Sequence, residues 1–140
     1  MKRLAPFVAL ALVACGGTQL YRNDGEKNLT VRTELREVTA VLHVYEVAGD
    51  CKTTFRGTLP LDRPEVEVAM PAGSAAYLVV RFDSSSFLGG SRAISTGTLV
   101  EPRAGYRYEL RVRYRNSIYD VALREIDRKG VSRDLPRRSC

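Results

Sequence analysis

Residues 106–127 read YRYELRVRYRNSIYDVALREID. Tyr106, Tyr108, Leu110, Val112 and Tyr114 alternate with Arg107, Glu109, Arg111, Arg113 and Arg115. A period of two puts one apolar and one charged face on a strand. Asn116-Ser117 then supplies a two-residue hairpin loop. With that turn, Tyr114 opposes Tyr119, Val112 opposes Val121 and Leu110 opposes Leu123 on the core side. On the wet side Arg113 opposes Asp120 and Glu109 opposes Arg124. Each cross-strand pair contributes only about 0.2–1 kcal/mol, but a slip of one residue loses every pair together. One register therefore satisfies both the apolar and the charge pattern.

The same period runs outward from this hairpin. It predicts strands over 30–36, 39–47, 53–60, 65–70, 75–83, 93–100, 106–115 and 118–127, with no amphipathic helix. The breaks carry turn residues: Gly49-Asp50, Asp62-Arg63-Pro64, Pro71-Ala72-Gly73, Ser84 to Gly90, Pro102 to Gly105 and Asn116-Ser117. The expected fold is all-β, a two-sheet antiparallel sandwich of seven or eight strands occupying residues 30–140. A small closed β-barrel is the alternative. The stretch VEVAMPAGSAAYLVVRF, Val66 to Phe82, resembles the strand–Pro–Gly–strand units of transthyretin-like and carboxypeptidase-regulatory-like sandwiches. An immunoglobulin-like sandwich shares that architecture.

A chain of 140 residues with 44% hydrophobic residues has room for one domain and one modest core, which excludes a disordered chain and a multi-domain enzyme. The longest apolar run is N-terminal and short. Met1-Lys2-Arg3 is a basic start, Leu4 to Ala14 is apolar, and Cys15-Gly16-Gly17 follows. That is the order of an export signal, and it falls short of the roughly 20 residues a membrane-spanning helix needs. Leu12-Val13-Ala14-Cys15 resembles the lipobox of bacterial lipoprotein precursors. The resemblance implies that residues 1–14 are removed and that the Cys15 thiol is diacylated. With Gly16 in second place, it also implies the outer membrane, facing the periplasm, in a Gram-negative cell. An ordinary signal peptide with an incidental cysteine is the other reading. Residues 15–29 (CGGTQLYRNDGEKNL) are polar and Gly-rich and are expected to form a flexible tether, about 13 residues of which have a span near 20 Å.

If Cys15 carries lipid, Cys51 and Cys140 remain. In an oxidising compartment an even remainder reads as one disulfide, with a chain-entropy contribution of roughly 4.5 kcal/mol at most. Two free thiols, or an intermolecular bridge through Cys140, are the alternatives.

Catalytic residue types are scarce. His43, the only histidine, lies mid-strand in VLHVY and reads as a half-buried structural residue without a second metal ligand at useful spacing. Ser84-Ser85-Ser86 lacks the G-x-S-x-G context of a nucleophile. Glu65 and Glu67 share one strand face and could act as an acid–base pair, but alternating charges on a wet strand are ordinary. No catalytic, metal-binding or cofactor-binding residue is assigned, and an enzyme is not expected.

Charge is uneven. From Arg103 to the end, eleven basic residues face five acidic ones. Arg111, Arg113 and Arg115 stand on one strand face, either as an anion-facing surface for an envelope component or as a soluble face neutralised by Asp120 and Glu109. Phe87 and Leu88, among small residues, form a contact loop or a plug for the end of the sandwich. The expected function is that of a non-catalytic, membrane-anchored envelope lipoprotein with a binding or scaffolding role. Its partners are the membrane and an anionic component or protein, without nucleic acid. An accessory subunit of an outer-membrane secretion, pilus or motor complex is one alternative. A small periplasmic hydrolase is another.

Overall fold

In a computed structural model, which describes residues 18–71, 73–86 and 89–140, the chain forms nine strands. They are β1 (Leu29–Leu35), β2 (Thr39–Val47), β3 (Thr53–Pro60), β4 (Glu65–Val68), β5 (Ala75–Ser86), β6 (Gly90–Val100), β7 (Arg107–Arg115), β8 (Ile118–Ile126) and β9 (Ser132–Leu135). No helix occurs among the described residues. Two sheets result, a five-stranded one in the order β4-β1-β7-β8-β9 and a four-stranded one in the order β3-β2-β5-β6. They remain two open sheets, so the closed-barrel alternative is set aside.

The register of the decisive hairpin is the one its two faces require. Tyr114 pairs with Tyr119, Val112 with Val121, Leu110 with Leu123, Arg113 with Asp120 and Glu109 with Arg124. Asn116 and Ser117 both have positive φ, 51° and 63°, as a tight two-residue hairpin turn demands. The inner faces meet in one core. Val31, Tyr108, Leu110 and Val112 from one sheet pack with Leu42, Val44, Leu78, Val80 and Phe82 from the other. Burying such side chains contributes about 1.5–3 kcal/mol each.

Four features depart from the sequence reading. β1 pairs with β7 in parallel, Val31 beside Leu110, whereas every other strand pairing is antiparallel. A ninth strand, β9, pairs with the end of β8 through Leu123–Leu135 and Arg124–Asp134. Its sequence, SRDL, has no apolar alternation and lies beyond the last strand that periodicity predicts; a tight turn makes it a strand. Asp127 Oδ1 accepts from Lys129 N and Val131 N at 2.8 and 2.9 Å, and Gly130 has φ 83°. The β5–β6 hairpin runs on to Ser86 and Gly90, through residues read as loop, since serine fits a pleated ladder without an apolar face to bury.

The fourth correction concerns the tether. Residues 19–21 are not a free leash: Thr58 N donates to Gln19 O at 2.8 Å, and Tyr21 N donates to Thr58 O at 2.9 Å. Tyr21 is 7% exposed, and its hydroxyl donates to Ala69 O. Asn28 is equally committed, accepting Met70 N on its side chain at 2.8 Å and Tyr108 N on its carbonyl at 2.8 Å. Two apolar residues, Leu20 and Tyr21, inside a polar stretch were the signal.

Candidate functional site

The two outer faces of the sandwich differ in chemistry. On the five-stranded sheet, the alternation that sends Leu110 and Val112 inward sends Arg111, Arg113 and Arg115 outward. Beside them in register stand Arg32 and Glu34 on β1 and Asp120 on β8; Glu65 on β4 lies one strand further, opposite Arg32, and Glu67 opposite Thr30, and Arg124 on β8 opposes Glu109. The charges pair across strands. Arg32 Nη1 lies 2.6 Å from Glu65 and its Nε 3.3 Å from Glu109; Arg111 reaches Glu109 at 3.5 Å; Arg113 reaches Glu34 at 3.4 Å; Arg124 reaches Asp134 at 3.2 Å. The arginine row is thus interleaved with carboxylates. Arg113 opposes Asp120 in register but makes its ion pair with Glu34, since the parallel partner strand brings that carboxylate alongside. Glu65, proposed as half of an acid–base pair, is held by Arg32. Half-exposed pairs of this kind contribute about 0–1 kcal/mol each.

The outer face of the four-stranded sheet is apolar and aromatic. His43 and Tyr45 on β2 point away from the core, beside Thr58 and Phe55 on β3 and Val79 and Tyr77 on β5. The Phe55 ring lies 5.3 Å from Tyr45 and 6.0 Å from His43. Phe55 is 40% exposed. His43 shares a hydrogen bond of 2.9 Å between Nδ1 and Thr58 Oγ1. It is the structural, half-buried histidine expected from its strand, in an aromatic setting that the sequence did not reveal. Tyr77 lies across Gly97: a Cβ there would sit 2.7 Å from the ring. Leu20 bridges Thr58 in parallel. Bridge partners share a sheet face, so Leu20, 51% exposed, adds a further apolar side chain at the β3 edge of the patch. At the rim Arg56 pairs with Glu46, and Arg81 with Asp83 at 3.2 Å.

One polar cluster went unread in the sequence. Glu125 is 6% exposed, inside the same alternation as Leu123. Its Oε2 accepts Tyr108 OH at 3.0 Å and its Oε1 lies 3.0 Å from Arg133 Nη2, with Arg103 Nε at 4.0 Å. Burial, with the Glu125 carboxylate alongside, pushes the Tyr108 hydroxyl above the usual tyrosine range. The Tyr106 side chain, more than Glu125, raises Arg103. The arrangement compensates a buried carboxylate and ties β9 and the β6–β7 connection to β8. Its position was legible: two residues past Leu123 on the same face.

Cys51 and Cys140 are joined, with Cα atoms 5.6 Å apart, at the end of an open groove of about 700 Å³. The tail reaches Cys51 along β6, where Leu99 N donates to Arg138 O at 2.9 Å. Cys15, Phe87 and Leu88 lie outside the described residues. No cluster of three metal-ligating side chains occurs among the described residues.

Two open sheets packed face to face define the class: a nine-stranded β-sandwich. Among solved structures, sea bream transthyretin in complex with thyroxine is similar to the chain at 17% identity, with 69% of this chain and 93% of that chain covered and a TM-score of 0.45. No protein-family model and no curated protein matches the sequence.

Proposed function

We propose that the chain is an envelope lipoprotein, cut before Cys15 and acylated on it, whose sandwich is a non-catalytic binding module. The observation that carries this is cysteine usage. The Cys51–Cys140 disulfide takes two of three cysteines and fits an oxidising compartment, leaving Cys15 in its lipobox context. Gln19, four residues beyond that cysteine, is already bonded to Thr58, so few residues separate anchor and domain. The apolar outer face around Phe55 is the contact surface; contiguous apolar patches on small soluble domains mark interaction sites. Two acyl chains make attachment stable where one is marginal. Metabolic labelling with a clickable fatty acid tests the reading. Wild-type protein takes up label and Cys15→Ser does not; an unlabelled wild-type protein overturns it.

A further inference from the structure

We infer that the apolar outer face of the four-stranded sheet rests on the lipid surface that holds Cys15, an inference that rests on the anchor reading above. The leash is short. Four peptide steps separate Cys15 from Gln19, an extended reach of about 14 Å. Gln19 is already fixed to the β3 edge, through its carbonyl to Thr58 and its side chain to Arg56 O at 3.2 Å. A headgroup layer takes up roughly 5–8 Å of that reach, so the β3 edge sits at the interface itself.

Which face turns to the lipid follows from side-chain direction and charge. Leu20, next along from Gln19, shares a face with Thr58, and that face continues through Phe55, Tyr45, His43, Tyr77 and Val79. Tyrosine and histidine rings combine an apolar body with a polar tip, which suits the headgroup boundary. The opposite face carries the interleaved arginines and carboxylates of β1, β4, β7 and β8. Pressing that face into lipid would strip water from many charges, whereas the other face carries, among the described residues, the single Arg81–Asp83 pair along β5 beyond Val79, away from the aromatic cluster.

The sequence has no tryptophan, so an introduced one reports without background. Full-length protein, matured and acylated in cells, is reconstituted in phosphatidylethanolamine–phosphatidylglycerol vesicles brominated high on the acyl chain. Phe55→Trp and Leu20→Trp place the reporter on the aromatic face. Ile118→Trp places it on the charged side, where Ile118 pairs with Arg115 and is 67% exposed. The expected result is quenching of Phe55→Trp and Leu20→Trp at least about twofold stronger than that of Ile118→Trp. Protein that floats with the vesicles while all three reporters are quenched alike overturns the docking but leaves the anchor intact, and the face is then open to a second copy or a protein partner. Protein that does not float removes the anchor reading, and this inference falls with it.

Discussion

The hydroxyl of Tyr21, six residues beyond Cys15, donates to the carbonyl oxygen of Ala69 at 2.5 Å. This contact carries the chain from the β3 edge into the core within three residues of Thr18. It depends on Gly57, where a Cβ would lie 2.5 Å from Tyr21 N and Cα, and where φ is +145°. β3 bulges here: Val44 pairs with Gly57 but Tyr45 with Phe55, leaving Arg56 extra.

Tyr21→Ala is expected to destabilise the domain by about 3–5 kcal/mol, the range for deleting a buried aromatic side chain. Gly57→Ala is expected to cost about 1–3 kcal/mol through its backbone conformation, with displacement of residues 19–21 added. Gly49→Ala, with open space around it, is the control and should lie within about 1 kcal/mol of wild type. Urea unfolding midpoints measure all three.

Burial separates two ion pairs that look alike in sequence. Glu125→Ala leaves the buried Tyr108 hydroxyl without its acceptor, while the exposed Arg133 returns to water, and should cost about 1–3 kcal/mol. Arg32→Ala removes contacts to both Glu65 and Glu109, yet all three lie on the solvated face, and the loss should be about 1 kcal/mol or less. Unfolding at low and at high salt checks the contrast. The Arg32 effect shrinks with salt and the Glu125 effect persists.

The Cys51–Cys140 bond closes a loop with a sequence separation of 89. Replacing both cysteines with serine is expected to lower stability by up to about 4.5 kcal/mol, mainly by freeing the unfolded chain. Calorimetric melting of the double variant against wild type measures it, and reduction of wild type should reproduce the shift.

Two buried tyrosines set the alkaline limit. Burial raises Tyr21, against the opposing effects of Asn23 and Arg56, and burial with Glu125 raises Tyr108, each from an ordinary value of 10.0. The fold holds these protons more tightly than the unfolded chain does. Their contribution is therefore complete below pH 10.0 and is lost as pH rises through the folded-state values. The urea midpoint should fall as pH rises above 10.0, and fall less in Tyr108→Phe.

The sequence was legible where one residue type repeats with one period. Residues 106–126 showed strand, turn and register together because apolar and charged faces demanded the same alignment. Residues 39–47 and 53–60 were equally plain, and both ends of each strand fell where the turn residues placed them. What escaped depended on partners distant in the chain. β9 is a strand because Arg133 and Leu135 have β8 to pair with, and nothing within SRDL says so. The parallel β1–β7 pairing brings the Arg32 side chain to Glu109, 77 residues on, beyond any local pattern. The aromatic patch was hidden for the same reason. His43, Phe55 and Tyr77 come from three strands, and only the sheet order sets them side by side.

The proposed anchor makes Cys15 the first residue of the mature protein and puts lipid on its sulfur. Mass spectrometry of the N-terminal peptide from membrane-derived protein tests it most directly. The account predicts a peptide beginning at Cys15 with diacylglycerol on its sulfur. A peptide that still begins at Met1, or one that carries an unmodified Cys15, would contradict it.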